Sequence, residues 1–182
     1  GVTVFIEKPV AHTLAEGLRV CAAAEQAGVK VLVGHHRRHS PILHRAVGIV
    51  RSGVLGPLVG VIGSAVFYKP DADGYYDGPN AWRRRPGGGP ILLNLIHEIG
   101  NLRAMVGEIA AVGAFASNAT RGFEVEDTVA INLRFSNGAL GTFLLSDTAA
   151  SPKSWEQTAR ENLAYAAVDD EDAYTIIGTM GS

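Results

Sequence analysis

Val2-Thr3-Val4-Phe5-Ile6-Glu7-Lys8-Pro9, Thr13-Leu14-Ala15-Glu16 and Val31-Leu32-Val33-Gly34 decide the fold of this chain. The first run is β-branched and aromatic, the composition of a buried strand, and Pro9 ends it by removing a ladder donor. Thr13 and Glu16 have capping-box spacing, and Leu14, Leu18, Cys21 and Ala22 recur at helical intervals until Gly28 offers a stop. Val31 to Gly34 is a second buried strand. Strand, helix and strand within residues 2–34 match a right-handed crossover between parallel strands, so the chain begins in α/β grammar.

Working outward, Ser40-Pro41 is an N-cap with proline at the first helical position, and Ile42, Leu43, Ala46, Val47, Ile49 and Val50 form an apolar stripe that ends at Gly53. Leu58 to Tyr68 reads as a long strand. Residues 69–89 are rich in Pro, Gly, Asp and Tyr without periodicity, and a loop of that length is usually functional. Ile91 to Val106 is a strongly apolar helix closed by Gly107. Beyond it only strands are expected: Ile109 to Ala116, then Val129 to Phe135 and Leu140 to Leu145 joined through Asn137-Gly138, a strong hairpin signal. Residues 155–168 and 173–178 complete the expected sheet. The fold class is therefore α/β (α+β): a terminal βαβ unit, then a mostly antiparallel open sheet with helices on one face.

Composition narrows the function. The chain has 182 residues, 47% hydrophobic and 19% charged, which excludes a disordered or low-complexity polymer. Sixteen Lys and Arg against eighteen Asp and Glu leave a formal charge of −2, so nothing draws the chain toward nucleic acid or an anionic membrane. Cys21 is the only cysteine, which removes an intramolecular disulfide and a thiolate-paired zinc site and fits a reducing, cytoplasmic compartment. No apolar run reaches the roughly eighteen residues of a membrane-spanning helix. The chain enters a strand at once and stops soon after Tyr174 to Gly178, and we read both ends as cuts in mid-fold.

Chemistry concentrates in three places. Asn94, His97, Glu98 and Asn101 share one helix face, and a stripe so poor in charge fits a lined pocket better than a solvated surface. Gly87-Gly88-Gly89-Pro90, just before it, permits close backbone approach and suits a polar or anionic ligand. Lys8 ends a parallel strand, and the carboxyl ends of such strands are where open α/β sheets bind ligands. His35, His36, His39 and His44 invite a metal, but the segment has no carboxylate or thiolate and carries two arginines, so no metal site is expected. Arg37 and Arg38, with Arg83, Arg84 and Arg85 of the long loop, are better placed to hold a phosphate or carboxylate.

Four motifs in order resemble the Gfo/Idh/MocA family of nicotinamide-dependent oxidoreductases. Glu7-Lys8-Pro9 matches the family's Glu-Lys-Pro; Gly34 to Pro41 resembles Gly-x-Asn-x-Arg-(Phe)-x-Pro; Ser52-Gly53-x-Leu55-Gly56 closes the next helix; Gly87-Gly88-Gly89 precedes a helix carrying His97. The resemblance implies a remnant of the dinucleotide-binding Rossmann domain in residues 1–34 and a substrate-binding and oligomerisation domain in 35–182, truncated at its end. It implies NAD or NADP as cofactor, its main site absent because no Gly-x-Gly-x-x-Gly follows a strand. It implies hydride exchange with a hydroxyl or carbonyl of a sugar, inositol or related polyol, with Lys8 and His97 catalytic and Glu7 and Lys8 toward the cofactor. Asn94, Arg38, His36 and Arg83 would meet substrate, and the open sheet would join a homodimer or homotetramer. Leu93 stands where the family often carries aspartate, and His36 where asparagine is usual. The alternative is a non-catalytic ligand-binding or scaffold member of the same fold.

Overall fold

The structure is a computed structural model that describes residues 1–70 and 74–182. β1 (Val4–Ile6) and β2 (Val31–Val33) pair in parallel, Val4 opposite Val31 and Ile6 opposite Val33, and α1 (Leu14–Ala27) joins them. The capping box is formed: the Thr13 side chain accepts from the Glu16 amide, and the Glu16 carboxylate receives the Thr13 amide. Gly28, at φ 61°, ends the helix in the left-handed conformation that glycine adopts without strain. This unit buries little. Phe5, Leu14, Leu18 and Leu32 are all exposed.

A short 3₁₀ turn, His36–His39, leads into α2 (Pro41–Arg51), whose N-cap Ser40 accepts from the Leu43 amide. β3 (Leu58–Val66), β4 (Ile109–Ser117), β5 (Thr128–Phe135), β6 (Leu140–Ser146) and β7 (Tyr174–Gly178) form one sheet in the order β4-β5-β6-β3-β7. Three pairings are antiparallel and one, β3 with β6, is parallel, so the sheet is open and mostly antiparallel. Asn137-Gly138 makes the expected hairpin turn, with Gly138 at φ 92°.

The core lies on one face of this sheet. Val129, Ile131, Leu133 and Phe135 alternate inward on β5, beside Phe143 and Leu145 of β6 and Val61 and Ala65 of β3. Across from them pack Leu43 of α2 and Leu102 and Met105 of α3 (Ile96–Met105). Each such side chain contributes about 1.5–3 kcal/mol by leaving water. Among the described residues no layer covers the opposite face, which presents Ile62, Leu144 and Phe115.

Two expectations change. The helix over 91–106 opens with a π turn, Ile91–Leu95, before α3 begins. Residues 155–168 form no strand: Trp155–Thr158 is a short helix, α4, and the residues after it are irregular. Arg160 and Asp170 adopt left-handed backbone (φ 56° and 62°), which breaks an extended run. Of the long loop, Gly78–Arg84 is a 3₁₀ helix, and residues 71–73 lie outside the described residues.

Candidate active site

Lys8 follows β1 and reaches across to the π turn, where its ammonium donates to the Leu93 carbonyl oxygen at 2.6 Å. The π turn explains how this is arranged. A wider turn inserts one residue into the helical ladder and shifts the phase of every residue beyond it, a device common at functional sites. Leu93 has no polar side chain, so its backbone carbonyl serves as the acceptor that holds Lys8. Burial lowers the pKa of Lys8, and the Arg37 charge lowers it further.

One turn on, His97 is buried at 7% exposure, its ring edge-on to His36 at 4.8 Å between centroids. Burial drives its pKa down to about 3, with the positive charges of Arg37 and Lys8 adding to the effect. The ring is therefore a neutral imidazole at physiological pH. Among the described residues its Nδ1, which is buried, has no hydrogen-bond partner. An unpaired buried ring nitrogen beside a cavity is a position that a substrate hydroxyl can satisfy.

Lys8, His97, His36, Asn94 and Arg83 all line one cavity of about 880 Å³. Five residues named from the sequence thus converge. Glu7 does not reach it; this side chain is exposed and its carboxylate accepts from the Lys8 amide at 3.3 Å. Arg38 does not either. It is exposed and borders a separate basic cavity with Arg51 and Arg103, and Arg37 takes the inward place instead. In a 3₁₀ turn residues three apart share a side, and Arg37 and Ser40 are the two buried here.

Arg37 is held by two carboxylates: its Nη1 donates to Glu98 at 2.5 Å and its Nη2 to Glu156. Glu98 also accepts from the Tyr174 hydroxyl, and the Arg37 guanidinium lies 5.6 Å from the Trp155 ring centroid. Burial pushes the Glu98 carboxyl up, while Arg37 opposes that rise. Glu98 and Asn101 of the polar stripe therefore tie α3 to β7 through Tyr174, Arg37 links Glu98 on to Glu156 of α4, and of the stripe only Asn94 and His97 line the cavity.

The sequence reading placed Arg37 only among the anion-binding arginines and chose Arg38 for the site, and it missed Lys69, Tyr75 and Glu156; all four of Arg37, Lys69, Tyr75 and Glu156 also line the cavity. A signal for Lys69 was present. Lys69-Pro70 follows β3 as Lys8-Pro9 follows β1, and both lysines end in the same space.

Lys8, at the end of a parallel strand, and the buried His97 thus line one cavity. Residues 43–182 match the GFO/IDH/MocA C-terminal domain, and residues 1–35 match the oxidoreductase family's NAD-binding Rossmann fold. The chain belongs to the Gfo/Idh/MocA family. It is 34% identical over 150 residues to a 1,5-anhydro-D-fructose reductase of Ensifer adhaerens, covering 79% of this chain and 43% of that protein. It is 27% identical to a levoglucosan dehydrogenase of Pseudarthrobacter phenanthrenivorans, covering 78% and 42%. Among solved structures it resembles the WlbA dehydrogenase of Bordetella pertussis in complex with NADH and UDP-GlcNAcA, at TM-score 0.75 and 28% identity over 81% of this chain and 46% of that one. The aldose-aldose oxidoreductase of Caulobacter crescentus complexed with glycerol gives TM-score 0.70 and 30% identity, over 81% and 44%. The chain spans less than half the length of these relatives.

Proposed function

We propose that this chain forms the substrate-binding part of an NAD(P)-dependent dehydrogenase that oxidises a hydroxyl, or reduces a carbonyl, of a sugar, inositol or related polyol. On this reading residues 1–34 complete a cofactor domain and residues 35–182 form the substrate domain. The likeness to a 1,5-anhydro-D-fructose reductase and a levoglucosan dehydrogenase supports the substrate class. The observation that carries the reading is the convergence of Lys8 and the neutral, unpaired His97 on one cavity.

The unpaired His97 Nδ1 and the Lys8 ammonium at a strand's carboxyl end fit a nicotinamide cofactor with its substrate. NAD(P), when bound, supplies or takes up the hydride, and Lys8, with Glu7 beside it, is the part of this chain that would meet it. His97 would accept the proton of the hydroxyl that is oxidised to a carbonyl, and in reduction would return a proton to the carbonyl oxygen. Lys8 stabilises the developing negative charge on the oxygen. Asn94, His36 and Arg83 would meet the substrate.

In the full-length protein, His97→Ala is expected to lower kcat for NAD(P)-linked turnover by about 10²–10⁴-fold with cofactor affinity nearly unchanged. Lys8→Ala should lower both. Turnover of His97→Ala within a fewfold of the parent would overturn the assignment. We further infer a homodimer or homotetramer through the open face of the sheet and a cytoplasmic location, the latter supported by the exposed, unpaired Cys21. Among the described residues no helix is long and apolar enough to cross a membrane.

A further inference from the structure

We propose that the substrate of this site carries a negative charge, a carboxylate or phosphate on the sugar, and that Lys69 and Arg83, both packed near the ring of Tyr75, hold it. This rests on the dehydrogenase reading and narrows its substrate class.

The charges lining the cavity do not balance. Lys8, Arg37, Lys69 and Arg83 face Glu156 and Glu161. Glu156 is already bound by Arg37, and Glu161 accepts from the Trp155 indole at 2.8 Å. Among the described residues neither Lys69 nor Arg83 makes an ion pair. Lys69 is instead enclosed by rings, its ammonium 4.1 Å from the centroid of Phe67, 5.1 Å from Tyr75 and 5.2 Å from Tyr165. The Arg83 guanidinium packs on the same Tyr75 ring, 4.2 Å from its centroid. Arg83 Nη1 donates to the Tyr75 carbonyl at 3.0 Å, while its buried Nε has no partner among the described residues.

Two cations against one ring repel each other, and aromatic faces offset that repulsion only in part. Burial depresses Lys69 to about 8, with Arg83 and Lys8 adding to the fall and Glu156 and Asp147 opposing it. An anion bound between them would pair the orphan Arg83 Nε, neutralise the excess charge and stay in contact with the Tyr75 edge. Such charge-assisted bonds are the strong ones, and a planar guanidinium suits a carboxylate or phosphate. A neutral polyol would leave both cations unpaired in a half-buried site, which costs free energy. Lys8 lines the same cavity beside His97, so the charged end of the sugar would sit at Lys69 and Arg83 with its reacting hydroxyl left for His97.

The test is calorimetric titration of the full chain with D-glucose, D-glucuronate and D-glucose 6-phosphate, repeated with Lys69→Met, Lys69→Arg and Arg83→Met. We expect one of the two anionic sugars to bind at least about 10-fold tighter than glucose, since bonds to charged groups are worth that much or more. Which of the two wins identifies carboxylate or phosphate. The ratio of affinities should collapse toward one in Lys69→Met and Arg83→Met and persist in Lys69→Arg, and it should shrink as salt is raised. Equal binding of all three sugars would overturn the inference and leave the dehydrogenase reading standing. A preference untouched by Lys69→Met and Arg83→Met would also overturn it, because the anion would then sit elsewhere. Failure of every sugar to bind would remove this inference together with the reading beneath it.

Discussion

A neutral, buried His97 has a consequence for stability as well as for chemistry. Its folded pKa of about 3 lies below the ordinary value of 6.5, so the unfolded chain takes up its proton first as pH falls. Stability from this group is therefore complete above about pH 6.5 and is lost as pH drops toward 3, at up to about 1.4 kcal/mol per pH unit. Urea unfolding at pH 7, 5.5 and 4.5 should show His97→Gln losing less stability on acidification than the parent; parallel pH profiles would refute the neutral assignment. Arg37 makes a second case. Its removal strands Glu98 in the core, so Arg37→Met should cost about 3–5 kcal/mol in the same assay. Lys8 and His97 were legible in the sequence because a strand end and a helix face have fixed directions. Arg37 was not legible over Arg38, because a 3₁₀ turn one residue out of phase exchanges inward for outward and no periodicity of that length marks the phase.

Among the elements, the segment from Gly87 to Leu95 does most to shape the site. A Cβ on Gly88 would lie 2.5 Å from the Arg83 carbonyl oxygen and 2.6 Å from its Cα, so the loop carrying Arg83 can close over this turn only because residue 88 has no side chain. Backbone cannot swing aside as a side chain can. Gly88→Ala should therefore destabilise the fold by about 1–3 kcal/mol, measured by denaturant unfolding, and should lower the hydrogen-exchange protection of Trp82 to Arg85. An unchanged exchange pattern would show that the glycine does not hold the loop. Glu126 fixes the other side by accepting the Ile91 amide at 2.8 Å, where an anion also complements the helix dipole. The triple glycine was visible in the sequence, but the π turn after it was not: hydrophobic spacing over five residues does not separate α from π winding. The 155–168 segment misled for a different reason. Trp155, Tyr165 and Val168 favour strands, yet the segment is fastened by Arg37 to Glu156 and by Trp155 to Glu161 rather than by a ladder.

At the scale of the whole molecule, the two faces of the large sheet have unequal fates. The βαβ start, the sheet order's open character and the helix-covered face followed from period-two alternation on β5 and from apolar stripes on α2. The cover of the second face did not, since residues such as Ala130, Asn132 and Thr142 tolerate water or a partner equally. The structure places Phe115, Ala130, Leu144 and Ser64 in one row across four strands, with Ile62 beside them on β3. Phe115 is 84% exposed and Ile62 57% exposed, and together they border a concavity of about 500 Å³. An uncovered apolar row on an open sheet fits the association inferred above, and a two-fold axis over the sheet would bring each row against its copy. Light scattering at high micromolar concentration should therefore report a mass above that of the monomer. Leu144→Glu and Phe115→Glu, both on the uncovered face, should shift it to monomer with the thermal midpoint of the isolated subunit little changed, because neither side chain contributes to the core. A clean monomer for the parent chain would end the proposal. An oligomer that survives both substitutions would move the interface to the exposed apolar surface of β1, β2 and α1, where Phe5, Leu18 and Leu32 lie.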